Sequence, residues 1–160
     1  MAADNRIVNI TLDEKSVVRR SPQIEHERKV AIFDLLDDNE FGLVETADGD
    51  AGPYSLHLRI EENRLIFDVR RPDETTLSAI SVPTSAFRKT IKDYFMICDS
   101  YFEAIKSKAP SQIEAIDMAR RGLHNEGAEL LKDRMADQAQ MDRATARRLF
   151  TLVCVLHIRG

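Results

Sequence analysis

Residues 54–71 read YSLHLRIEENRLIFDVRR, and this stretch decides the fold. Two runs of alternating apolar and polar residues flank Glu62-Asn63. Alternation is the signature of a half-buried strand, and a two-residue connection closes an antiparallel hairpin. A turn at Glu62-Asn63 pairs Ile60 with Leu65, Leu58 with Phe67 and Leu56 with Val69, so each apolar residue meets an apolar one. A slip of one residue would set leucines against charges, which fixes the register. The same register places His57 opposite Asp68 and Ser55 opposite Arg70, with Arg59 alongside, all on the face away from the leucines.

Working outward, TLSAISVP (76–83) continues the meander as a third strand, and RIVNITLD (6–13) alternates as an N-terminal strand. Between them, SPQIEHERKVAIFDLLDD predicts a helix with Ser21 as N-cap, Pro22 at the first helical position and an end near Asp37. Ile24, Ala31, Ile32 and Leu35 line its inward face. Seven acidic residues and no basic one lie between Asp34 and Asp50; within that segment, residues 46–53 read as a flexible acidic loop. The oxygen ligands there lack calcium-loop spacing.

The C-terminal half reads as three helices. In the first, Phe87, Ile91, Tyr94, Cys98, Tyr101, Phe102 and Ile105 form one stripe. Phe95–Ile97 extends the apolar character all round, which predicts a well-buried helix. A second helix spans about 111–136, and a third starts near Asp142, although the β-branched end of the third also suits a strand. The expected fold is α+β: a small antiparallel sheet, made of the N-terminal strand plus the three-strand meander, packed with about four helices. The order is β-α-β-β-β-α-α-α, in a single domain over 1–160.

Length and composition agree with this. A chain of 160 residues, 43% of them hydrophobic, buries a core without disulfides or structural metal. Cys98 and Cys154 lie in apolar stretches and read as buried thiols. The four histidines are scattered, and IEHERK (24–29) has only half of a zinc-helix motif around His26. No metal or cofactor is expected. A net charge of −4 argues against nucleic acid as a partner. No apolar run approaches the roughly 18 residues of a membrane span. With no secretory leader in MAADNRIVNITLDEK, the cytoplasm is the expected location.

Candidate functional residues come from helical spacing. On a wheel of residues 113–131, Arg120 falls between Ile116 and Leu123 on the inward face, His124 sits one turn away at its edge, and Asp117 is placed to meet Arg120. Gly127 also faces inward, where a side chain would block close approach of another element. Gly122 has no evident reason to be glycine. Two readings follow. In one, Arg120 and His124 tie helices together in a protein without catalysis that binds a protein partner or a second copy of itself. In the other, Arg120 holds a small anion and His124 is the acid or base of a hydrolase or phosphate-handling enzyme. His57 with Asp68 is a second candidate catalytic pair, though an ordinary half-solvated sheet face explains it. Arg88, Lys92, Arg147 and Arg148 are candidates for binding an anion or a partner. The absence of any catalytic motif favours the binding or adaptor reading.

The blocks SPQIEHERKVAIFDLL, RKTIKDYFMICDSYFEAI, QIEAIDMARRGLHNEGAELL and TARRLFTLVCVLHIRG resemble an alphaproteobacterial family, number 0262 among the uncharacterised protein families. The resemblance runs from about residue 7 to 160. It implies a small single-domain bacterial protein and carries no activity, cofactor or site residue.

Overall fold

A computed structural model describes residues 5–13, 22–44 and 52–157. The elements are β1 (Ile7–Leu12), α1 (Pro22–Asp37), β2 (Phe41–Leu43), β3 (Tyr54–Glu61), β4 (Arg64–Arg70), β5 (Thr76–Pro83), α2 (Arg88–Ser107), α3 (Pro110–Met135), β6 (Ala139–Met141) and α4 (Arg143–Leu156). The long elements follow the expected α+β order. Ser21 and most of the acidic loop lie outside the described residues.

The hairpin has the register that its apolar alternation requires, from Ser55 opposite Arg70 to Glu61 opposite Arg64. Glu62 and Asn63 both have positive φ, 51° and 63°, as a two-residue turn between right-twisted strands demands. The sheet order is β1-β3-β4-β5. One feature differs from the expectation: β1 pairs with β3 in parallel, so the sheet is mixed and not wholly antiparallel. A parallel neighbour needs a crossover, and α1 supplies it. The side chain of Asn39, just past α1, fixes that crossover: its amide accepts from Ile7 N at 2.7 Å and donates to the carbonyls of Ile7 and Leu35 at 2.9 and 2.7 Å.

Two further strands of three residues were not expected. β2 and β6 pair antiparallel through Phe41 and Met141, and so hold the segment after α1 against the segment before α4. Such short strands carry no readable alternation. Asp142 then caps α4 by accepting from Thr145 N at 2.9 Å. Every residue of α4 from Leu149 to Leu156 is buried, so the apolar tail that also suited a strand is the central helix of the helical layer. That layer covers the leucine face of the sheet, and Leu56, Leu58, Leu65, Phe67 and Val69 are sealed beneath it.

α2 corrects the expectation of a well-buried helix. Ile91, Tyr94 and Cys98 are buried, but Met96 and Ile105 are exposed. The helix packs mainly on α3, which covers one face only. The two glycines of α3 separate cleanly. A Cβ on Gly127 would lie 2.5 Å from the Phe150 ring, so α3 and α4 approach through that position; a Cβ on Gly122 would meet nothing within 4 Å.

Candidate functional site

Arg120 emerges from α3 into a fully occupied setting. It donates to Asp117, one turn back, at 3.0 Å and to Glu27 of α1 at 3.2 Å, and its guanidinium lies 4.3 Å from the centre of the Tyr101 ring. Asp117 is the partner that helical spacing predicts. Glu27 and Tyr101 come from other helices, and spacing within α3 does not reveal them. An arginine with two carboxylates and an aromatic face has its charge satisfied. It is therefore a poor holder of a further anion.

His124 lies one turn on. Its Nε2 is 3.2 Å from the Tyr94 hydroxyl and 3.3 Å from Oγ1 of Thr151, whose own proton is donated to the Arg147 carbonyl at 3.1 Å. Burial, and then the positive charges of Arg147 and Arg120, push the His124 pKa down to about 4. The imidazole is neutral at neutral pH and joins α2, α3 and α4. Glu126, two residues further along α3, is exposed and takes no part. Burial likewise pushes the Cys98 thiol up to about 11 and raises that of Cys154, so neither thiol is a ready nucleophile.

Beside His124 is a cavity of about 230 Å³, lined by Glu27, Val30, Ala31 and Asp34 of α1, by His124, and by Ala144, Arg147, Arg148 and Thr151 of α4. Two of the four basic candidates thus meet the histidine that helical spacing singled out. Arg148 donates to the Asp38 carbonyl at 2.8 Å. Arg147 differs: its Nε is fully buried and has no hydrogen-bond partner among the described residues. Arg88 and Lys92 are exposed at the start of α2 and do not line this cavity.

The sheet carries a second polar cluster. Asp68 is nearly buried and accepts from Arg70 at 2.7 and 3.1 Å, with Arg59 at 3.6 Å. His57 stands opposite Asp68 in the register, but its carboxylate partner is Glu74, at 2.6 Å from Nε2. Its Nδ1 bonds the Thr11 hydroxyl. Ser55 also bonds Glu74, at 3.1 Å, and is completely buried. The segment after β4 folds back over Ser55, with Glu74 held at a φ of 72°, so this patch is more covered than a half-solvated sheet face. Nothing in the sequence marks Glu74 for that position. Burial alone would raise the Glu74 pKa, but hydrogen bonds from Ser55, His57 and Arg70 outweigh it and hold the carboxyl below its ordinary range. A serine with no access to solvent, whose histidine meets the carboxylate through the same nitrogen, lacks the geometry of a hydrolytic triad.

No group of three or more His, Cys, Asp or Glu side chains converges as a metal site among the described residues. No helix among them is long and apolar enough to cross a membrane.

The site defines a class: a small α+β protein with a cavity between helices, acidic on its α1 wall and basic on its α4 wall, and no assembled catalytic constellation among its described residues. The chain belongs to the Uncharacterised protein family (UPF0262), whose model matches residues 4–159. Relatives described as UPF0262 proteins include one from Paramagnetospirillum magneticum, 56% identical over 156 residues and spanning 97% of both chains. Another, from Rhodospirillum rubrum, is 55% identical across 98% of this chain and 94% of its own. One from Sphingopyxis alaskensis is 54% identical across 97% and 94%. No solved structure matches the chain.

Proposed function

We propose that this protein is a non-catalytic binding protein whose cavity between α1 and α4 takes a compact anionic ligand, a carboxylate or a phosphate, on Arg147 with Arg148 beside it. The observation that carries this reading is the Arg147 guanidinium, which lines a cavity with its Nε buried and unpartnered. An arginine cannot lose its charge to escape burial, and an unsatisfied buried donor costs about 1–3 kcal/mol. An anion in the cavity would supply the countercharge that Arg147 lacks among the described residues. Glu27 faces Arg120 and Asp34 stands on the opposite wall, which selects against bulky polyanions. The absence of catalysis is argued from His124: an imidazole with a pKa of about 4, engaged by Tyr94 and Thr151, is a weak base at neutral pH. Two unpaired buried thiols suit a reducing compartment, and we propose the cytoplasm as the place of action.

Thermal shift with inorganic phosphate, succinate and a nucleoside monophosphate tests the reading. A probe at a hundred times its dissociation constant adds about 2.7 kcal/mol and raises Tm by several degrees. The shift is expected to vanish in Arg147→Met, and that variant should match or exceed the wild type in stability without probe. If all probes leave Tm unchanged and Arg147→Met is itself destabilised, Arg147 is structural and the reading fails.

A further inference from the structure

α1 is apolar on two sides. Ile24, Ala31 and Leu35 face the core, whereas Phe33, 72% exposed, points directly away from it, flanked by exposed Val30 and Leu36. An exposed apolar stripe opposite a buried one calls for a cover, and here it has none among the described residues. The outward face is ordered about its centre. Lys29 and Asp37, both exposed, lie four residues before and after Phe33, about 6 Å along the axis in each direction. Val30 and Leu36 lie three residues before and after it, on the two flanks.

We propose that this face binds a second copy of the chain, with α1 packed antiparallel against α1 across a two-fold axis through Phe33. That rotation sets Phe33 on Phe33 and brings each Lys29 within reach of the other Asp37, with Val30 and Leu36 bordering the paired rings on the two flanks. One apolar centre and two equivalent ion pairs result, the self-complementary pattern that an isologous interface requires. The charge complementarity chooses this occupant: a basic residue at −4 and an acidic one at +4 satisfy each other only when the facing helix runs the opposite way. The cavity shares α1, and Val30 borders both surfaces, but its polar lining on α1, Glu27 and Asp34, lies off the Phe33 face, so this assembly does not rest on the ligand reading. A single helix pair buries less than the roughly 800 Å² per partner of a tight complex, so the dimer is concentration-dependent.

Sedimentation velocity over a dilution series of the full chain reads this directly. The wild type is expected to pass from one to two protomers as concentration rises. Phe33→Asp should stay monomeric with an unchanged thermal melt, because the side chain touches solvent and not the core. Lys29→Asp and Asp37→Lys should each weaken association about tenfold, and the double variant should recover it, since the swap restores both pairs. Phe33→Cys should cross-link through a disulfide under mild oxidation. His26→Cys should not, because its two copies would lie farther apart than a disulfide spans. The native thiols are buried and do not interfere. A wild type that is monomeric at every concentration, a dimer indifferent to Phe33→Asp, or a double variant as weak as the singles would each overturn the proposal.

Discussion

Two polar clusters in this molecule use the same residue types to different ends. Around His124, arginines and carboxylates come from α1, α3 and α4, far apart in sequence, and meet between packed helices. Around His57, most partners lie within one meander, at the surface of the sheet. In the first cluster Arg120 and its two carboxylates are each about 20% exposed; in the second, Asp68 is 11% exposed, but Glu74, which joins the other partners, is 45% exposed. Composition does not distinguish them. What does is how far water reaches each charge, because screening and desolvation decide whether an ion pair holds the fold or merely decorates it.

Removing the cation at the centre of the helix-side cluster tests that contrast at its strongest. Arg120→Met keeps much of the volume against Tyr101 but takes the cation from Glu27 and leaves Asp117 only the more exposed Arg121, at 3.0 Å. A loss of about 3 kcal/mol is expected, seen as a lower urea midpoint with an unchanged slope. Arg120→Lys should recover part of it, since it restores charge without the planar fork. A loss under about 1 kcal/mol would mean that this cluster behaves like an exposed pair, and the contrast would collapse.

The acid limb of the stability profile sharpens the same point. His124 has a folded pKa near 4 against an ordinary 6.5. Between those values the unfolded chain binds a proton that the folded chain refuses, so stability falls as pH falls. The contribution is fully present above 6.5 and lost progressively down to about 4. From pH 7.5 to 5, about 2 kcal/mol should disappear, and His124→Gln should flatten that part of the profile. An equal slope in both proteins would show that His124 is solvated and does not join the helices in the way described.

The clusters also differ in how far the sequence exposes them. The hairpin register follows from Leu56, Leu58, Leu65 and Phe67 alone, because pairing is local and a slip is punished at every position. The Arg120–Asp117 contact and the close approach at Gly127 follow from helical spacing for the same reason. Glu27, Tyr94 and Thr151 do not: they reach Arg120 and His124 only through the packing of helices, which periodicity orients but does not align. The β2–β6 pair escapes because three residues hold no pattern, and the parallel placement of β1 because alternation is blind to strand direction. Arg147 and Arg148 stand out as basic residues in a basic tail. That only Arg147 lacks an acceptor is a property of the assembled cavity.

Glu74 gives the smallest expected effect and the most discriminating one. Its carboxylate touches Ser55, His57 and Arg70, more partners than any single acid has around Arg120. A tally of hydrogen bonds would therefore rank it first. Solvent access ranks it last, because each bond replaces one to water and Asp68 still engages Arg70 when Glu74 is gone. Its pKa is held below the ordinary carboxylate range, so whatever it contributes is present at neutral pH and fades only as pH falls through that lowered value. Glu74→Gln at pH 7 should leave the urea midpoint within the scatter of the wild type, while Arg120→Met under the same conditions moves it clearly. If the two variants fall together, counting contacts would have been the better guide, and the covered sheet face would hold the fold as firmly as the helical layer does.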